Sequence, residues 1–304
     1  MENLLTIIKL SHTAKELYLV SPRAYYYKYL LNLKEKTTSS PLFFGSAIDN
    51  GINALLSGAK LDDAILAFKT NFKTTKVNGK FEDLTTSPNI KYFKSDLDES
   101  VFTEKELKDL DGKSDKFKSW ASLVKKGEML LTAYSQDILP NIKKVIEVQK
   151  YFSIPNDAND EIIGFADLIC ELKDGRLVIL DNKTSSSAYK DDAVTNFDTG
   201  KQTALYFEAF KHKYTLDAAG FLVLEKKIRK KDPRVRTQII IDTPPEEIIQ
   251  KTFDEFDEVL HNIKQGHFEC NSPKCDQYGQ ECCYKKYCQS NGKDLSGLIK
   301  LKKE

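Results

Sequence analysis

Asp181–Asn182–Lys183 closes an apolar run beginning at Arg176, and its β-branched and aliphatic residues suit a strand. Side chains alternate along a strand, so Asp181 and Lys183 share one face while Asn182 points away. A second carboxylate, Asp167, stands in the preceding run, and Lys173–Asp174–Gly175 lies between the two. Two registers are open. A two-residue Asp174–Gly175 loop puts Lys173 opposite Arg176 and Asp181 opposite Leu168, leaving Asp167 on the wrong face. A three-residue loop, with Gly175 left-handed, puts Leu172 opposite Arg176, Asp167 opposite Asp181 and Phe165 opposite Lys183. It also sets Cys170 against Val178 on the core-facing side. The paired acids would then have Cβ atoms about 5 Å apart. Facing carboxylates repel at neutral pH unless one is protonated or a cation neutralises them, so this register implies Mg2+ or Mn2+ between them. Two carboxylates, a hard cation and a lysine suit hydrolysis of a phosphodiester, with Lys183 orienting water or neutralising the phosphate. The plainer alternative is solvated strand-end charges flanking an ordinary turn.

Several elements must position these residues. Three β-like runs, 143–154, 161–172 and 176–184, are followed by a helix over 200–214 and two further strands, 220–227 and 236–242. That order predicts an α/β fold with a mixed central sheet flanked by helices. Towards the N-terminus, Ser21–Pro22 reads as an N-cap with a first-turn proline, starting a helix over the tyrosine-rich stretch 25–31. After a loop at 34–41, Phe44, Ile48, Ile52 and Leu55 recur at helical spacing, with Asp49 one position off that row. Residues 58–140 read as a helical elaboration with patches at 61–72 and 115–138, and 141–265 as the core. Thr243–Pro244–Pro245–Glu246 offers a capping box to a final helix, whose apolar face is Ile249, Phe253, Phe256, Leu260 and Ile263. Residues 266–304 form a cysteine-bearing end to a single domain spanning 1–304. No internal repeat is evident.

Gly164-x-x-Asp167, Asp181-x-Lys183 and Gln202-x-x-x-Tyr206 together resemble the RecB-like branch of the PD-(D/E)XK nucleases, which includes Cas4-like proteins and phage-type exonucleases. The resemblance covers most of the chain. Residues 21–30, SPRAYYYKYL, look like that group's Cys-Pro-Arg-aromatic helix, and 43–56, FFGSAIDNGINALL, like its Gly-x-x-x-His helix. Asp49 stands where the metal-binding histidine usually lies, and a carboxylate ligates hard cations well. The resemblance thus implies Asp49, Asp167 and Asp181 as metal ligands and Lys183 as electrostatic catalyst. Gln202 and Tyr206, one helical turn apart, become positioning residues. It further implies a metal-dependent deoxyribonuclease, an exonuclease on single-stranded or free DNA ends, working in recombination, repair or replication beside a helicase or recombination protein. A catalytically silent DNA-binding or scaffold subunit and a restriction-type endonuclease are the alternatives.

Cys270, Cys275, Cys282, Cys283 and Cys288 crowd into 19 residues, which suggests a local metal site better than dispersed disulfides. In the resembled group, one N-terminal and three C-terminal cysteines hold a 4Fe-4S cluster. Cys275, Cys282 and Cys288 look like the latter three, while Ser21 occupies the N-terminal position. Cys270 or Cys283 could supply the missing thiolate, a structural Zn2+ is an equal fit, and free thiols are the plain alternative. Residues 225–236 carry seven basic against two acidic residues, a candidate phosphate grip or a solvated loop.

Of the tyrosines 25, 26, 27 and 29, some are expected to stack on unpaired bases and one or two to be core. The whole chain, 304 residues with 46 Lys plus Arg against 45 Asp plus Glu, has a net charge of +1. No global field recruits a polyanion. At 40% hydrophobic residues the chain is not disordered by composition, and with no signal peptide or 18-residue apolar run it is expected to be cytoplasmic.

Overall fold

The computed structural model describes residues 7–229, 234–270 and 281–301. The strands that matter here are β1 (Lys9–Ser11), β2 (Ile142–Pro155), β3 (Glu161–Leu172), β4 (Leu177–Ser185), β5 (Ala218–Glu225) and β6 (Thr237–Asp242). The helices are α1 (His12–Val20), α2 (Pro22–Tyr25), α3 (Ser40–Leu56), α4 (Leu61–Asn71), α5 (Asp115–Ala133), α6 (Phe197–Tyr214) and α7 (Glu246–Lys264). The fold is mixed α/β, with a central mixed sheet and flanking helices. Among the described residues no helix is long and apolar enough to cross a membrane.

The chain divides into two compact units. One comprises Met1–Lys36, Tyr151–Phe165 and Glu246–Glu304, the other Thr37–Lys150 and Ala166–Pro245. In the second unit β3 runs antiparallel to β4, β4 parallel to β5, and β5 antiparallel to β6. The predicted apolar row of α3 is buried, with Phe44, Ile48, Ile52 and Leu55 each no more than 3% exposed. Each such side chain contributes about 1.5–3 kcal/mol by leaving water. Phe44 meets the rings of Phe68 on α4 and the adjoining Phe72 edge-on, at centroid separations of 6.0 and 5.6 Å. The helices at 61–71 and 115–133 belong to the same buried cluster as Leu168, Leu180 and Leu222 of the sheet. Between them, Thr74–Val77 and Lys80–Asp83 form a hairpin around left-handed Asn78 and Gly79, a strand pair within the stretch expected to be helical.

In the first unit β1 pairs in parallel with the start of β3, Lys9 opposite Glu161. Gly164 sits under Phe152: a Cβ there would lie 2.7 Å from the ring, so the glycine is required by close packing. Ser21 caps α2, its hydroxyl accepting from the Ala24 amide at 3.2 Å, with Pro22 in the first turn. The helix then widens into a π-helical turn over Tyr26–Leu30, which buries Tyr25 and Tyr27 and leaves Tyr29 partly exposed. Lys15, fully buried on α1, is paired with Glu16 and Glu255, as a buried charge must be.

α7 runs from Glu246, three residues past Thr243, whose hydroxyl donates to the Asp217 carbonyl at 3.2 Å. Of the helix's predicted apolar face Ile249, Phe256, Leu260 and Ile263 are buried and Phe253 is half-buried, with Ile248 and Val259 completing the buried side.

Candidate active site

The centre is built on the β3–β4 hairpin. Leu172 N donates to Arg176 O at 2.9 Å and Gly175 N to Leu172 O at 3.0 Å. Gly175 has φ +93°, a conformation in which L side chains are strained. This is the three-residue loop of the two alternatives. The ladder then runs from Glu171 opposite Leu177 through Cys170 opposite Val178 to Leu168 opposite Leu180. The next step brings Asp167 and Asp181 together, their carboxyl groups within hydrogen-bonding reach. Cys170 is fully buried, and burial pushes its thiol up to about 12.

Asp181 is 2% exposed, and Lys183 Nζ lies 2.5 Å from its Oδ2. The ammonium also donates to Gln202 Oε1 at 2.7 Å, and Gln202 Nε2 donates to the Tyr206 hydroxyl at 2.6 Å. Gln202 and Tyr206 occupy successive turns of α6 and extend a polar chain away from Asp181. Asn182 points elsewhere, accepting from the buried Tyr134 hydroxyl at 3.4 Å. Asp167 is pinned twice: Oδ2 accepts from the Asn182 amide at 2.9 Å and Oδ1 from Gln149 Nε2 at 3.0 Å.

Burial, with Asp167 adding to it and Lys183 opposing, pushes the Asp181 carboxyl up to about 7. Burial and then Asp167 push Asp49, half-buried on α3, up to about 6, again against Lys183. Burial disfavours the Lys183 ammonium, but Asp181 outweighs it and the group is held above its ordinary range. Three carboxyl groups therefore share one ammonium in a poorly solvated place, an acidic centre short of positive charge.

A family model described as the PD-(D/E)XK nuclease superfamily matches residues 9–289. The chain belongs to this superfamily. Membership implies nuclease activity in general terms. No curated protein matches the chain. A solved structure titled "Crystal structure of SSO0001" is similar at 17% identity and a TM-score of 0.30, over 66% of this chain and 82% of that one.

Nucleases of this superfamily generally use divalent metal ions, and the donors at this centre fit one: all are oxygen, and the excess negative charge matches a hard dication. Among the described residues no three His, Cys, Asp or Glu side chains are arranged to hold a metal by themselves. An adjacent carboxylate pair still suits Mg2+, which keeps several waters and takes one or two carboxylates.

The cysteines are a different case. Cys270 and Cys288 approach with sulfurs 3.8 Å apart, and Cys282 and Cys283 are neighbours in the chain. The Cys282 thiol and burial raise Cys283, and burial raises Cys288, so both favour the protonated thiol. Cys275 lies outside the described residues, as do 230–233 of the basic stretch. The described thiols do not make a metal cage, and no chemical step is assigned to them.

Two neighbours of the centre carried no sequence signal. Gln149, in the middle of β2, has φ +50°, a conformation that non-glycine residues avoid, and its amide reaches Asp167. Tyr189 follows β4 in an irregular segment clasped by Gln238, which accepts from the Tyr189 amide at 2.8 Å and donates to its carbonyl at 3.0 Å. Burial raises the Tyr189 phenol, with Lys183 opposing and Asp181 adding, which puts it within electrostatic range of the centre.

Proposed function

We propose that this protein is a Mg2+- or Mn2+-dependent deoxyribonuclease whose metal ligands are Asp167 and Asp181, with Asp49 as a third carboxylate. The observation that carries the reading is the buried Asp181 beside Asp167, with Lys183 Nζ 2.5 Å away. A bound ion of this kind supplies Lewis-acid polarisation of a phosphate oxygen and a more acidic water. Lys183 stands ready to neutralise charge developing on the phosphate, because Asp181 and Gln202 fix the ammonium from two sides. Gln202 acts as a positioning residue, and the buried Tyr206 hydroxyl saturates its other end. Asp49, whose carboxyl burial pushes up to about 6, is able to bind the ion as a carboxylate and to give up a residual proton when the ion arrives.

We infer an exonuclease on single-stranded or free ends, working with a helicase or recombination protein, from the resemblance to RecB-like and Cas4-like nucleases. Tyr151 and Phe165, 46% and 54% exposed with ring centroids 5.2 Å apart, support a single-stranded substrate. Unpaired bases stack on such rings, each for about 1–3 kcal/mol. The test is incubation with labelled single- and double-stranded DNA in Mg2+, Mn2+ or EDTA. Cleavage that needs the metal and disappears in Asp181→Ala and Lys183→Ala is expected; metal-independent or absent cleavage refutes the assignment and leaves a DNA-binding role. Metal analysis with an anaerobic absorption spectrum decides between iron–sulfur, zinc and free thiols at the cysteines.

A further inference from the structure

The parallel strands β4 and β5 end side by side, Ser185 opposite Glu225, and the chain beyond each end lines a cavity of about 360 Å3. Crevices at the carboxyl ends of parallel strands are where open α/β sheets bind ligands, and this volume is ligand-sized. Its lining is apolar at Phe44, Phe93 and Ile228 and carries Lys126 and Lys226 together with Asp96 and Asp98.

The lysines are not equivalent. Lys126, only 8% exposed, is paired with Asp98 at 3.2 Å. Lys226 is anchored by its backbone, its amide donating to Ser185 O at 2.7 Å, while its ammonium has no ion-pair partner among the described residues. Asp96, also in the lining, turns its Oδ2 to the Ser40 hydroxyl and the Phe93 amide at 2.5 and 2.7 Å and acts on Lys226 only through space. Burial, with Lys126 adding to it and Asp96 opposing, holds the Lys226 amine below its ordinary range. A desolvated cation without a direct ion pair, in a cavity also lined by aromatic rings, is complementary to a ligand joining an anion to a flat apolar body.

We propose that this cavity is a nucleotide subsite of the substrate strand, in which Lys226 binds a backbone phosphate and Phe93 packs against the attached base. The inference deepens the nuclease reading and rests on it for the identity of the strand. Lys183 and Ser186 are three residues apart along and just past β4, about 10 Å at ~3.3 Å per residue. The subsite would therefore hold the strand a short distance from the bond being cut and set its register.

The test measures binding without cleavage: a fluorescein-labelled single-stranded oligonucleotide titrated in EDTA at several salt concentrations. Lys226→Ala is expected to raise Kd about fivefold to tenfold and to lower the salt slope by about 0.7, the share of one phosphate on a single strand. Lys226→Arg should retain both. Phe93→Ala should weaken binding at least fivefold with the salt slope unchanged. Unaltered Kd and slope in both alanine variants would overturn the subsite. If either variant fails to fold, amine acetylation of the wild-type chain decides: Lys226 should be protected by the oligonucleotide, and equal labelling with and without it refutes the proposal. Loss of the Lys226 effect in a chain that still cleaves defeats the subsite alone. Persistence of the effect in a chain that never cleaves defeats the nuclease reading alone.

Discussion

The carboxylate–lysine centre and the cysteine-bearing segment both gather metal-ligating side chains, yet they are constructed in opposite ways. Asp167, Asp181 and Lys183 sit on neighbouring strands whose ladder fixes their spacing, and Asp181 and Lys183 are tied to each other and to α6. The described cysteines of this segment stand on irregular chain and one short helix, Lys285–Gln289, with Cys270 and Cys288 in sulfur contact at 3.8 Å and the Cys282 and Cys283 thiols hydrogen-bonded to each other. Only the first arrangement pays a standing electrostatic cost, burying more acid than base, and such a cost persists where something bound relieves it. In the cysteine-bearing segment Tyr284 is buried against Ala24, Tyr27 and Leu33.

The largest contrast is expected in cleavage. Asp181→Asn keeps the shape of the carboxyl but removes its charge, and metal-dependent hydrolysis should fall by about 10²–10³ or more. Cys270→Ser with Cys288→Ser should leave the rate within about threefold of wild type under the same assay. A cysteine variant as inactive as Asp181→Asn, with its melting temperature unchanged, would erase the distinction between the two regions.

Gln202→Ala should come next. It removes the 2.7 Å acceptor from Lys183 and the partner of the buried Tyr206 hydroxyl, so a loss of about tenfold in kcat is expected, with little change in KM. Gln202→Glu should retain the ammonium contact and recover part of the rate. If KM rises and kcat holds, Gln202 binds substrate directly and does not position the lysine.

How much of this was legible beforehand depends on which interactions are local. Turn length fixes hairpin register by counting, and Gly175 marked the turn, so the choice between facing and opposed aspartates reduced to two cases. The helical row from Phe44 to Leu55 follows from a 3.6-residue period, which needs no tertiary information. What failed or went unseen depends on distant partners. The Thr243 hydroxyl donates to the Asp217 carbonyl, a partner 26 residues away that no local pattern announces. Nothing in β2 announces a left-handed glutamine, and no spacing joins Lys226 to Phe93 across 133 residues. The cysteine spacing suggested a metal without specifying a geometry, because loops carry no register.

The cost at the centre should appear as a pH dependence of stability in EDTA. Asp181 binds its proton more tightly folded, at about 7, than its ordinary 3.8. Between those values the native state holds more protons than the unfolded one, so stability falls as pH rises. The contribution is intact below about pH 4 and gone above about 7. The slope is at most about 1.4 kcal/mol per pH unit for one group. Thermal melts from pH 5 to 8 should show a downward trend that is flatter in Asp181→Asn and in wild type with saturating Mg2+. Identical slopes in all three samples would mean that the carboxyl pair is not strained. Substitution of the cysteines should leave the wild-type slope as it is.

The smallest effect concerns Gln149, where strain and contact can be separated. A non-glycine residue at φ +50° costs on the order of 1–2 kcal/mol, and here the conformation accompanies a hydrogen bond to Asp167. Gln149→Gly removes both the strain and the bond; Gln149→Ala removes the bond and keeps the strain. If the glutamine exists to hold Asp167, both variants should lose activity by the same few-fold factor and need more Mg2+ for half-maximal rate. Their stabilities should diverge, with glycine above alanine by up to about 1 kcal/mol, part of the relief being offset by the entropy of a glycine in a strand. Equal stabilities would show that the backbone there is relaxed, and full activity in the glycine variant would show that Asp167 needs only the Asn182 amide. In the second case the left-handed residue is a bulge that shapes β2, and the centre stands on the β3–β4 hairpin and α6 alone.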